Sequence, residues 1–278
     1  MTSLENLQKK YLTVIIKNHS VSYIDEGSIN NPTIIFIHGF PLNKEMWNIQ
    51  ITDLKRDYRV IAYDLRGHGG SDEGDNELSI EFFANDLISF MDALKLDKIT
   101  LCGFSMGGYI ALNAVLNYPD RFNAILLCDT GCSNDSPEAK EKRMKSIENI
   151  KLNGLEQYAD ESLKKLFAPI SFSKYSKEVS FVKDMIMRTP VKSLFKTLHA
   201  LANRKETCSK LHEIKVPVLI MVGKEDEITP VEVAMYMHKK IKESIIHIID
   251  HAGHMSNMEN SKEFNTQLTK FLLLIKQR

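Results

Sequence analysis

The sequence predicts an α/β fold: a doubly wound, mostly parallel sheet with helices on both faces and a helical segment inserted between two consecutive core strands. Three observations carry this expectation. Short, nearly continuous apolar runs recur ("PTIIFIHGF", "YRVIAYDLRG", "DKITLCGFS", "FNAILLCDTG", "VPVLIMVGKED", "SIIHIIDHAG"), the mark of strands covered on both faces, which usually pair in parallel. Most are separated by stretches with apolar residues at three- and four-residue spacing, namely Lys44–Lys55, Ser79–Leu94, Met106–Asn117, Pro230–Ile241 and Lys262–Lys276, and alternating strand and helix winds a parallel sheet. Between Cys132 and Lys215 the alternation stops, and the chain becomes charged and helix-patterned.

In chain order, "YLTVIIKNHSVSYIDEGS" alternates β-branched and polar residues around an Asn-His pair, which predicts an antiparallel hairpin ahead of the parallel strands. Core strands and helices then fill residues 1–131, a helical cap 132–215, and the remaining core 216–278. A chain of 278 residues, 43% hydrophobic, is long enough to bury such a core and carry the cap.

Lys plus Arg and Asp plus Glu both number 36. A balanced charge offers no electrostatic grip on nucleic acid or anionic lipid. The opening "MTSLENLQKKYLTVIIKN" lacks the basic start, apolar stretch and small-residue cleavage site of a secretory leader, and no run approaches the ~20 apolar residues of a membrane helix. Cys102, Cys128, Cys132 and Cys208 form no C-x-x-C pair, so free thiols and a cytoplasmic location are expected. Monomer and homodimer both stay open.

The chemistry centres on "GFSMG", Gly103 to Gly107. This G-x-S-x-G follows a buried strand and opens a helix, the context in which a sharp turn lifts a serine hydroxyl above the carboxyl edge of a sheet. Ser105 is the candidate nucleophile. A serine hydroxyl needs a base to take its proton, and Asp226 and His254 follow the last two strand-like runs, at the same edge and in the order Ser…Asp…His. His254 is preferred to His251, on the exit turn, and to His247, inside the strand, because Gly253 lets the loop present the imidazole inward. Asp226 is preferred to its neighbours Glu225 and Glu227 and to Asp129, which ends an earlier strand. The backbone N–H groups of Phe40, after "IHG", and of Met106 are the candidate oxyanion donors.

With these residues in view, the chain resembles α/β-hydrolases of the esterase and enol-lactone hydrolase type, including cofactor-free haloperoxidase-like members. "HGFPLNKEMW" is similar to that family's oxyanion loop, "DLRGHGGS" to its strand-four turn, "GFSMGG" to its nucleophile elbow, "GKEDEITP" to its acid loop and "AGHMSNMEN" to its histidine loop. The resemblance implies a serine hydrolase that cleaves a small carboxylic ester, thioester or lactone through an acyl-enzyme, with a small-molecule acyl substrate as its partner. Perhydrolase or transacylase chemistry on the same residues, and a non-turnover receptor for a small molecule, are the alternatives.

Several further residues take a structural reading. Asp64, Arg66, His68 and Ser71, with His38, are expected to brace loops, and Trp47 to pack the oxyanion loop. Met144, Phe167, Met185, Met187 and Phe195 are assigned to the core of the cap, some of them facing the substrate. Arg143 and Arg188 are read as solvated rather than as a clamp for a substrate carboxylate. Without H-E-x-x-H, G-x-x-x-x-G-K-[ST] or G-x-G-x-x-G, the sequence implies no metal and no nucleotide cofactor.

Overall fold

The computed structural model describes residues 11–277. The start of the chain, from which the absence of a leader is read, lies largely outside the described residues. Strands β1 (Leu12–Ile16) and β2 (His19–Glu26) form the antiparallel hairpin, and β2 joins β4 (Arg59–Tyr63) antiparallel. From β4 onward every neighbouring pair is parallel, through β3 (Thr33–Ile37), β5 (Ile99–Phe104), β6 (Phe122–Cys128), β7 (Val218–Gly223) and β8 (Ser244–Ile249). The order is β1-β2-β4-β3-β5-β6-β7-β8. The chain leaves β3 to one side for β4 and returns to its other side as β5, so the carboxyl ends of β3 and β5 flank the crevice where such sheets bind ligands.

The helices follow from local signals. A 3₁₀ turn, Lys44–Trp47, is capped by the Asn43 side chain and leads into α1 (Asn48–Leu54). Helix α2 (Ile80–Ala93) starts where the Ser79 hydroxyl accepts the Phe82 N–H, and it buries Ile80, Phe83, Leu87 and Phe90 at helical spacing. Helix α3 (Met106–Asn117) leaves the elbow directly. Period-two alternation splits each central strand between two cores. Ile35, Ile37 and Leu101 pack with α2 and α3, whereas Ile34, Phe36, Cys102 and Phe104 pack with Trp47 and Phe264.

Between β6 and β7 lie α4 (Pro137–Leu166), α5 (Ser171–Lys174), α6 (Ser176–Arg188) and α7 (Val191–Ala202). Ser136 caps α4, Pro137 occupies its first turn, and Gly154, at φ 85°, kinks it. Helix α8 (Val231–Lys240) joins β7 to β8, and α9 (Ser256–Glu259) and α10 (Ser261–Lys276) complete the chain. No described helix is long and apolar enough to cross a membrane.

Three expectations are corrected. The run "SIIHIIDHAG" was expected to be covered on both faces, but β8 is the edge strand, with Ile245 and Ile248 exposed. An edge strand and a central strand can share the same apolar run, since burial depends on which strand comes next. Met187 is 39% exposed rather than part of the insertion's core, because it lies on the outer side of α6, away from the buried Val182, Met185 and Ile186. The cysteines are not all free. Cys132, where the insertion begins, is bonded to Cys208, where it ends, with Cα atoms 4.9 Å apart across 76 positions of sequence. Only the meeting of the chain's exit from β6 with its return to β7 creates that proximity, and spacing alone does not carry it. The pairing removes cysteine usage as a ground for assigning a reducing compartment. Cys102 and Cys128 are unbonded, with sulfurs 3.7 Å apart on adjacent strands.

Candidate active site

Ser105 stands between β5 and α3 at φ 52°, ψ −114°, a conformation that costs a non-glycine residue on the order of 1–3 kcal/mol. Its surroundings enforce it: the Ser105 N–H donates to Cys128 O, and the Thr130 hydroxyl donates to Ser105 O at 2.7 Å. The flanking glycines allow the close approach. A Cβ on Gly103 would lie 2.2 Å from Gly107 O, and one on Gly107 2.5 Å from Ile37 O. Any side chain at either position pushes the elbow off the sheet.

The loops after β7 and β8 bring the other two groups to the serine. His254 Nε2 is 2.9 Å from Ser105 Oγ, and His254 Nδ1 is 2.8 Å from Asp226 Oδ2. With Nδ1–H donated to the carboxylate, Nε2 is left to accept the serine proton. Asp226 also accepts the Thr229 hydroxyl at 2.7 Å and the N–H groups of Ile228 and Thr229. Burial pushes its carboxyl up, but the electrostatic attraction to His254 and these hydrogen bonds outweigh burial and hold it below the usual carboxylate range.

Asp129 is fully buried nearby, yet it does not bond the imidazole. One oxygen accepts the Gly223 N–H at 2.8 Å, and the other is 2.5 Å from Ser256 Oγ. Burial, then the charge of Asp226, raises its carboxyl well above the ordinary range, the opposite direction to Asp226. Asp129, Asp226 and His254 are the one group of metal-type donors that converges among the described residues. Their donor atoms are engaged with one another, Ser256, Thr229 and backbone N–H groups, which makes the group a hydrogen-bonded array.

The bracing residues hold the loops that frame the serine. His38 Nδ1 is 2.8 Å from Gly39 O, and its Nε2 accepts the Leu65 N–H. Asp64 accepts the Lys44 N–H, the Gly70 N–H and the Lys44 ammonium, the last at 2.5 Å, and Ser71 bonds Asp64 O and the Ser22 N–H. Arg66 bonds Asp86 and His19. His68 is buried against Phe40, and burial lowers its pKa to about 4, which keeps it neutral. Trp47 is wholly buried against Phe36 and Phe104. His247 bonds Glu263, and His251 lies exposed.

A cavity of about 480 Å³ contains Ser105, His254, Phe40 and Met106. Most of its wall is not marked by any sequence motif: Tyr109, Asp135, Lys142, Tyr158, Lys165, Leu166, Leu198, Leu201 and Arg204. Tyr109 had a signal, since it lies three positions after Met106 on the same face of α3. None of Met144, Phe167, Met185, Met187 and Phe195 lines the cavity, so the expectation that some of them face the substrate is corrected: the buried ones fill contacts among the helices or with the sheet. Arg188 pairs with Glu45 away from the cavity. Arg143 does line it, paired with Asp135, which also takes Arg204. Lys142 and Lys165 ion-pair with no carboxylate among the described residues, and the wall's acids are Asp135 and Glu227. Its cations therefore outnumber its acids.

Residues 32–261 match the α/β hydrolase fold family. Two 3-oxoadipate enol-lactonases of Acinetobacter baylyi are similar in sequence, one 29% identical over 94% of this chain and 92% of its own length, the other 26% identical over 91% and 93%. A thermophilic esterase from Thermogutta terrifontis, solved with malate bound, has a TM-score of 0.90 at 30% identity, covering 96% of this chain and 99% of that one. Family match, strand order and elbow agree, and the chain belongs to the α/β hydrolase fold family.

Proposed function

We propose that this protein is a serine hydrolase that cleaves small carboxylic esters or lactones through an acyl-enzyme on Ser105. The observation that carries the reading is the continuous hydrogen-bonded line from Ser105 Oγ through the His254 imidazole to the buried Asp226 carboxylate. Ser105 Oγ attacks the acyl carbon as its proton passes to His254 Nε2. The carbonyl π electrons move onto oxygen, where the N–H groups of Phe40 and Met106 receive the charge. Asp226 fixes the imidazole tautomer and stabilises the imidazolium. Collapse of the tetrahedral adduct breaks the bond to the leaving oxygen, which takes the proton from His254. Water then attacks the acyl carbon with His254 as base, releasing the acid and restoring Ser105. The helices of residues 132–215 act as a cap over this site.

The enol-lactonase and esterase relatives support the reaction class. The surplus of cations on the cavity wall supports a substrate that carries a carboxylate besides its scissile ester. The test is steady-state hydrolysis of p-nitrophenyl esters from acetate to decanoate and of monoesters of dicarboxylic acids, with Ser105→Ala as the blank. Serine-dependent multiple turnover supports the reading. Binding without turnover by the folded protein would overturn it in favour of a receptor.

A further inference from the structure

We infer that Glu259 is a positioning residue that joins the helical insertion to the histidine loop, so that the cavity wall and the His254 imidazole keep one fixed relation. Glu259 is 1% exposed, and its two oxygens face different parts of the molecule. Oε2 accepts the Ala168 N–H at 2.8 Å and the Ser171 hydroxyl at 2.6 Å, both on the insertion. Oε1 accepts the Gly253 N–H at 2.9 Å, one residue before His254. Beside this bridge the Met255 N–H donates to Leu166 O at 3.0 Å, and Leu166 is part of the cavity wall. The contact is tight: a Cβ on Gly253 would lie 2.6 Å from the Ala168 nitrogen. The substrate's wall and its base are thus two ends of one hydrogen-bonded joint.

No lysine or arginine among the described residues ion-pairs with Glu259, and a buried carboxylate without a cation is costly to keep. A carboxylate does offer an acceptor on each side, which no neutral side chain of the same size does. Glutamine at this position has one carbonyl oxygen. When that oxygen serves Ala168 and Ser171, its NH₂ faces the Gly253 N–H, and the repulsion displaces the residue next to His254.

The inference rests on the catalytic reading of Ser105 and His254, and the experiment separates the two. The kcat and KM for p-nitrophenyl acetate are measured for the wild type, Ser105→Ala, Glu259→Gln, Ser171→Ala and the Glu259→Gln/Ser171→Ala double variant, each checked by near-UV circular dichroism and assayed well below its melting temperature. Glu259→Gln is expected to lower kcat by about ten-fold or more with little change in KM, because displaced catalytic geometry acts on the chemical step. Ser171→Ala, which removes a donor outside the cavity, is expected to lower kcat about three-fold, and to add nothing in the Glu259→Gln background. Wild-type kcat in folded Glu259→Gln, or effects of the two changes that simply multiply, overturns the inference. If Glu259→Gln does not fold, Ser171→Ala decides, and an unchanged kcat overturns it. Absence of serine-dependent turnover in the wild type itself takes down the catalytic reading and this inference with it.

Discussion

The sheet edge and the insertion above it meet in one cavity but are built on different terms. At the edge, each working group sits where a strand ends: Ser105 after β5, Asp226 after β7, His254 after β8. Strand register places these positions, and close backbone contact around Gly103 and Gly107 leaves them no freedom to shift. In the insertion, the cavity residues come from one side of amphipathic helices whose other residues pack internally or meet solvent. The backbone of such a helix tolerates many side chains on its cavity side. On the proposed reading, the edge fixes the chemistry and the insertion is free to set which substrate reaches it.

The sharpest break of this contrast is at the nucleophile. Ser105→Ala is expected to remove turnover of every ester, by a factor of about 10⁴ or more, while the melting temperature holds, since no packing contact of size is lost. Burst and steady-state assays across several acyl lengths check it. Serine-independent turnover at a comparable rate would place the chemistry elsewhere.

Next is a comparison within the edge itself. Asp226→Asn is expected to lower kcat by about 10³–10⁴, because the amide no longer holds Nδ1 protonated toward it. Asp129→Asn is expected to cost less than about ten-fold, as Asp129 bonds Ser256 and Gly223 and not the imidazole. If Asp129→Asn proved the more damaging with the fold intact, the acid assignment would pass to Asp129.

The insertion is expected to answer differently. Lys142→Gln with Lys165→Gln is expected to raise KM about ten-fold for a monoester of a dicarboxylic acid, to leave KM for the matching neutral ester in place, and to spare kcat for both. The difference should shrink with added salt, because these amines are solvent-screened. An equal rise for both esters would show that the lysines shape the wall without reading charge.

The two regions also differ in how far the sequence discloses them. Ser105, Asp226 and His254 were legible because strand-end position is a chain-local property: an apolar run ends, a glycine or acidic turn follows, and the next helix begins. The hairpin, the alternation of core elements and the bounds of α3 were legible for the same reason. The cavity wall was not. Lys142 and Lys165 are exposed residues of a charged helix, and only the folded arrangement of the insertion puts them on the wall of the cavity that holds Ser105. The Cys132–Cys208 bond is not legible either, because their proximity exists only after the insertion closes on its own root. Edge strand β8 looks like a central strand because its apolar run is the same whether or not another strand pairs beside it.

The last contrast is read in stability against pH rather than in turnover, and it separates the two buried acids of the edge by sign. Asp226 is held below its ordinary value in the fold, so its contribution is present above that value and lost as pH falls toward the folded pKa. Asp129 is held well above its ordinary value of 3.8. Its folded form keeps a proton that the unfolded chain releases, so its contribution is complete below that value and drains away as pH rises. Asparagine at position 129 copies the protonated acid, with an NH₂ toward Ser256 and a carbonyl toward Gly223, and does not titrate. Urea unfolding of the wild type and Asp129→Asn, followed from about pH 5 to about pH 7, should therefore diverge in favour of the variant, with a slope of up to about 1.4 kcal/mol per pH unit while Asp129 stays protonated in the fold. Parallel curves would mean that Asp129 is ionised beside Asp226, and then the imidazole between the sheet edge and its ester would face two anions rather than one.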